Sequence, residues 1–169
     1  MKSARHVAAT LLALAIGGGA FLTLQSVGAP QIAPNVAYTL LDGTASSIGA
    51  LRGKVVLVNF WATSCAVCVH EMPQIVATHQ RFKARGLQTL AVAMSYDAPA
   101  AVAQFAQSRQ LPFEVVIDNT GAVARGFGDV RLTPTTLLIN KRGEIVKRYL
   151  GEPDFAALNR LLEALLAEA

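Results

Sequence analysis

The chain has 169 residues, 53% of them hydrophobic and 15% charged, and a net charge of +4. That balance speaks against a disordered chain, and the length allows one domain whose core needs no disulfide staples. The basic residues fall in short groups, Arg81, Lys83 and Arg85, then Lys141 and Arg142, then Lys147 and Arg148, which read as solvated surface and not as a nucleic-acid patch.

At the N-terminus, Lys2 and Arg5 form a positive head, followed by an apolar run over residues 7–24 that only Thr10 and Thr23 interrupt. This is the shape of a signal peptide or a membrane anchor, with its positive end left in the cytoplasm. The run is close to the ~18 residues of a spanning helix. Val27-Gly28-Ala29 and Gly18-Gly19-Ala20 both offer small residues for cleavage. An uncleaved anchor is the preferred reading, ahead of cleavage and of a buried helix in a cytosolic protein. Residues 1–29 are therefore expected to be signal or anchor plus linker, with residues 30–169 as the folded domain. That domain is expected on the periplasmic side of the cytoplasmic membrane, tethered, or soluble in the periplasm if cut.

Further on, residues 36–41 predict a strand and Asp42-Gly43 a turn, with residues 46–53 as loop. The run Val55-Val56-Leu57-Val58-Asn59-Phe60 predicts a strand buried on both faces. A helix is expected from about Cys65 toward Arg85, kinked by Pro73 and ended by Gly86. Residues 87–95 predict a second buried strand, 98–109 a helix with Pro99 in its first turn, and 113–117 a short strand. Asp118-Asn119-Thr120-Gly121 reads as a turn or helix start. Residues 135–139 and 144–150 predict strands around a Lys141-Arg142-Gly143 turn. Residues 153–169 predict an amphipathic helix with Phe155, Leu158, Leu161, Leu162 and Leu165 on its apolar side. The order β–β–α–β–α–β–α–β–β–α implies an α/β fold, a mixed sheet covered by helices on both faces.

Cys65 and Cys68 are the only cysteines. Two cannot form a disulfide framework, nor complete a four-ligand zinc site, which leaves a redox pair as the leading use. The pair follows a buried strand and opens a helix. Backbone N–H groups and partial positive charge at a helix N-terminus favour a thiolate. Cys65 is thus expected as the nucleophile on a substrate disulfide. Cys68, one turn deeper, is expected to resolve the mixed disulfide.

The stretch Val-Val-Leu-Val-Asn-Phe-Trp-Ala-Thr-Ser-Cys-Ala-Val-Cys-Val-His-Glu-Met-Pro, residues 55–73, resembles the active-site block of the TlpA/ResA-like branch of the thioredoxins. The resemblance extends over residues 36–169 and rests on a combination: the strand, Trp61, the cysteine pair, Pro73 and a later Thr133-Pro134. It implies a thioredoxin fold with an N-terminal β extension. It makes Thr133-Pro134 the cis-proline loop facing the cysteines, where the Thr133 backbone pairs with an extended substrate segment. It places Trp61 beside the active-site turn, as part of the substrate-binding surroundings. Thioredoxin has a buried Asp at the position of Asn59, which cannot ionise. Glu71 matches a functional Glu of the ResA-like branch and is the candidate to tune the thiols and act as base for Cys68. The competing reading is a solvated surface Glu, and His70 and His79 are expected as surface-helix residues. Ser64 stands where the family usually has Trp, and Ala66-Val67 replaces the usual proline-containing pair.

The resemblance implies an exported thiol–disulfide oxidoreductase that reduces disulfides of client proteins such as apocytochrome c or copper-site assembly proteins, fed by a membrane-spanning thiol electron donor. The chain is expected to be a monomer with no metal and no cofactor other than the redox-active Cys65–Cys68 disulfide. A copper-binding chaperone on the same fold is the alternative. A peroxidase-like reductase is less favoured, because no Thr-Pro precedes Cys65.

Overall fold

The computed structural model describes residues 30–168, so the expected signal or anchor segment lies outside the described residues. Among them no helix is long and apolar enough to cross a membrane. The described residues form seven strands and four α-helices in succession: β1 (Ala37–Thr39), β2 (Ala45–Ser47), β3 (Val55–Trp61), α1 (Ala66–Phe82), β4 (Leu87–Ala93), α2 (Pro99–Ser108), β5 (Glu114–Ile117), α3 (Ala122–Gly126), β6 (Thr135–Ile139), β7 (Ile145–Leu150) and α4 (Phe155–Ala167).

β3 lies at the centre of a five-stranded sheet ordered β5-β4-β3-β6-β7. It pairs in parallel with β4 and antiparallel with β6, so the sheet is mixed. All seven residues of β3 are buried, as a strand covered on both faces must be. Its alternating side chains feed two cores. Val55, Leu57 and Trp61 face α1, α2 and α4, where they meet Met72, Ile75, Val102, Leu158 and Leu162. Val56, Val58 and Phe60 face the N-terminal segment and α3, where they meet Tyr38, Ile48, Leu51, Val123 and Phe127. This is the thioredoxin fold, with β1 and β2 as a separate small hairpin.

Residues 46–53, expected as loop, contribute β2 and a 3₁₀ turn over Ile48–Leu51 capped by Ser47. Ile48 and Leu51 are buried, and burial of these two side chains outweighs the weak local signal. Asp42-Gly43 turns as expected, with Gly43 at φ +87° and Thr44 N–H bonded to Asp42 Oδ1 at 2.8 Å.

The segment before β2 straps the sheet. Ala33 N–H donates to Gly143 O and Ile145 N–H to Gln31 O beside edge strand β7. Leu41 N–H donates to Val115 O on the other edge strand, β5. One stretch of chain thereby reaches both open edges, where unpaired strands would otherwise invite association.

Candidate active site

β3 runs into the turn Ala62-Thr63-Ser64 and then into α1, whose N-cap is Cys65. Cys65 and Cys68 are disulfide-bonded. Cys68 N–H also donates to Cys65 Sγ at 3.2 Å, the bond an N-cap side chain makes. Cys65 is half-buried and Cys68 wholly buried, so only the first sulfur is open to another molecule.

The turn before Cys65 is held by a residue that the sequence reading did not single out. Asp97, buried in the loop after β4, accepts from Thr63 N at 2.5 Å and from Thr63 Oγ1 at 2.6 Å. The two residues are far apart in the chain, and a lone Asp after a strand carries no signal of its own.

The peptide between Thr133 and Pro134 is cis. Pro134 is buried and Thr133 half-exposed. Because Phe60 pairs with Thr135, this loop lies at the end of β6 adjacent to the exit of β3, the same end of the sheet as the cysteines. Tyr96 Oη lies 3.1 Å from Thr133 Oγ1 and joins the loop after β4 to the cis-proline loop. Val67, Tyr96 and Leu132 are exposed apolar side chains at this end.

Trp61 requires a correction. Expected in the substrate-binding surroundings, it is fully enclosed, with its indole tilted on Phe105 at 5.1 Å between ring centres. It sits on the α1 face of β3, where helices cover it. It supports the turn from beneath and offers no surface to a substrate.

Glu71 is no surface residue: it is fully buried, on the same face of α1 as Cys68 one turn earlier. Its Oε1 accepts from Asn59 Nδ2 at 3.0 Å, and the same amide donates to Thr136 Oγ1 at 3.0 Å. Glu71 Oε2 has no partner. Burial pushes the carboxyl up to about 7, with the Asn59 hydrogen bond opposing and the charge of Glu152 adding to the rise. Asn59 thus occupies the centre of β3 as a neutral donor, and the acid of this site comes from α1 instead.

The histidines divide. His70 is exposed, 3.5 Å from Glu152. His79, also expected at the surface, is buried. Its ring lies against Phe113, its Nδ1 is 3.1 Å from Thr89 Oγ1, and burial pushes its pKa down. The apolar stripe of α1 takes it inward, far down the helix from the cysteines.

A buried strand, a disulfide-bonded cysteine pair on a helix N-terminus and a cis-proline loop at the same sheet end define a thiol–disulfide oxidoreductase of thioredoxin fold. Residues 27–162 match the Redoxin family model. The chain is 33% identical to the thiol-disulfide oxidoreductase ResA of Bacillus subtilis over 140 residues, 83% of this chain and 77% of the relative. It is 28% identical to ResA of Bacillus cereus over 98% of this chain and 99% of the relative. A thioredoxin-type protein of Neisseria meningitidis solved in solution superposes with TM-score 0.76 at 40% identity, over 83% of this chain and 93% of that one. The chain belongs to the Redoxin family and, within it, to the ResA-like thiol–disulfide oxidoreductases. These likenesses do not favour a copper chaperone.

Proposed function

We propose that the protein is an exported reductant of disulfides in extracytoplasmic client proteins. It works as a monomer held at the periplasmic face of the cytoplasmic membrane by residues 1–29, or free in the periplasm if these are removed. The observation that carries the reading is the asymmetry of the pair: Cys65 half-open at the helix N-terminus, Cys68 enclosed on the inner helix face that one turn later carries the buried acid Glu71.

In the reduced protein, the Cys65 thiolate attacks a client disulfide. One client sulfur leaves as a thiolate, and the other is held to Cys65. Cys68, passing its proton to Glu71, attacks Cys65 Sγ and expels the second client sulfur. Two electrons pass to the client, and the Cys65–Cys68 disulfide remains. Glu71 suits the proton step because burial lets it hold or release a proton near neutrality. Thr133 and Pro134, at the same end of the sheet as Cys65, receive the client segment in extended form. In an oxidising compartment the disulfide must be reduced again, and a membrane-spanning thiol donor is the partner that this requires. Oxidised apocytochrome c and copper-site assembly proteins are the expected clients.

The test is trapping in the native host. Cys68→Ser should accumulate mixed disulfides through Cys65 with exported proteins, and Cys65→Ser should not. No exported protein on the trap, or a pair found mostly oxidised in cells with its donor intact, would count against the reading.

A further inference from the structure

The basic residues are scattered along the chain, and the fold gathers many of them at one end of the sheet. β3 and β4 run in parallel and begin side by side, Val55 beside Leu87. β6 is antiparallel to β3 and ends there too, with Ile139 beside Val56. The segments that enter and leave this end are basic. Arg52 and Lys54 precede β3, Lys83 and Arg85 lie in a 3₁₀ turn before β4, and Lys141 and Arg142 follow β6. Two hydrogen bonds tie the first and last of these together: Gly53 N–H donates to Lys141 O at 2.9 Å, and the Arg52 guanidinium donates to Arg142 O.

The row keeps a net positive charge. Arg142 is paired with Glu144 and Glu168. Asp42 and the half-buried Glu114 share a cleft with Lys83 toward the β5 edge without pairing with it. Arg52, Lys54, Lys83 and Arg85 are exposed, and among the described residues no carboxylate forms an ion pair with them. At the cysteine end, by contrast, Arg131 is paired with Asp129, and Glu152 and Asp154 are exposed acids.

The N-terminal segment enters the domain at the basic end. Ile32 bridges to Glu144, and Ala33 N–H donates to Gly143 O at 2.9 Å, directly beside Lys141 and Arg142. Cys65 lies beyond the far end of β3, seven residues on, which is about 20 Å of strand.

We propose that the basic end of the domain rests on a bilayer surface carrying anionic headgroups, so that Cys65 is held facing away from the membrane. The inference rests on the reading of residues 1–29 as a membrane anchor. An anchor that enters beside the row brings it to the headgroups, and a basic patch next to an anchor adds electrostatic attraction to anionic lipid. Clients and the thiol donor then meet Cys65 on the side turned to the aqueous space.

The test uses the full-length protein in nanodiscs of phosphatidylcholine, with or without phosphatidylglycerol. A fluorophore on Cys65, in Cys68→Ser, reports its height through energy transfer to acceptors among the headgroups. Phosphatidylglycerol should lower the transfer, and high salt should restore it, because salt screens exposed charges. Lys54→Glu with Arg85→Glu should give the phosphatidylcholine value in both discs, with an unchanged melting temperature as the check on folding. Transfer that is equal in both discs, or that rises with phosphatidylglycerol, overturns the proposal, and this comparison of lipids needs no charge variant. Failure of the anchor reading shows separately, as protein that alkaline carbonate strips from phosphatidylcholine vesicles. Flotation with phosphatidylglycerol vesicles then decides: salt-sensitive binding that the double variant loses supports the basic end as a membrane contact, and absence of binding overturns it.

Discussion

Asn59 Nδ2 donates to Glu71 Oε1 at 3.0 Å, joining the central strand to the helix that carries the cysteines. Each side chain keeps one buried acceptor without a partner, Asn59 Oδ1 and Glu71 Oε2. An ionised carboxylate can only accept, whereas a protonated one also donates. The pair is therefore better matched when Glu71 carries a proton, in line with its raised pKa.

This has a consequence for stability against pH. Glu71 has a folded pKa of about 7 against an ordinary value of 4.5, so the folded state binds this proton more tightly than the unfolded chain. Below about 4.5 both states hold it. Between 4.5 and about 7 only the folded state does, and above 7 the folded protein bears the full cost of a buried carboxylate. Stability should fall as pH rises through this window. In Glu71→Gln the fall should be absent, leaving the variant relatively more stable above the window, by about 1–3 kcal/mol. Urea unfolding at a series of pH values measures it.

Asn59→Asp should make the same window deeper and move it upward. The introduced carboxyl would lie within hydrogen-bond reach of Glu71, and two acids so placed cannot both ionise cheaply. It would also lose the amide donor that now serves both Glu71 and Thr136. A stability loss confined to low pH would contradict this expectation.

Asp97→Ala should loosen the turn ahead of Cys65. It removes the acceptor of the Thr63 amide and hydroxyl together, and hydrogen bonds to a charged group contribute about 1.5–3 kcal/mol. We expect a lower denaturation midpoint and faster hydrogen exchange at the Thr63 amide. Asp97→Asn, which keeps an acceptor oxygen, should recover part of both.

The cysteine pair, its strand and its helix were legible because their signals are local. A run of β-branched residues, two cysteines at fixed spacing and glycine turns each speak within a few positions. Thr133-Pro134 was legible only through family resemblance. Glu71 and His79 are hard to read from sequence for one reason: a polar residue on the inner stripe of a helix looks like any surface residue until its partner, Asn59 or Thr89, is supplied by another element. Asp97 is invisible in the sequence, since what it does depends on Thr63, which only the folded chain brings near. Trp61 adjoins the active-site turn in the sequence, but strand alternation sends it into the helix-covered face, beneath that turn.

The strap offers a steric test. Asn35 Oδ1 accepts from Gly49 N at 2.9 Å, and a Cβ on Gly49 would come within 2.4 Å of that oxygen. Gly49→Ala should therefore destabilise the protein by about 1–3 kcal/mol through overpacking. Adding Asn35→Ala should return part of the loss, as thermal melts of the single and double variants would show.

Ile32 bridges to Glu144, and Leu40 to Val116. The first stretch of the domain to leave the ribosome pairs at once with β2, but its partners in the main sheet lie in stretches made much later. Such sequence-distant pairing is slow to form, and the sheet edges cannot close until β7 has been synthesised. Until then the newborn chain holds no finished domain, a delay set by the order of its segments.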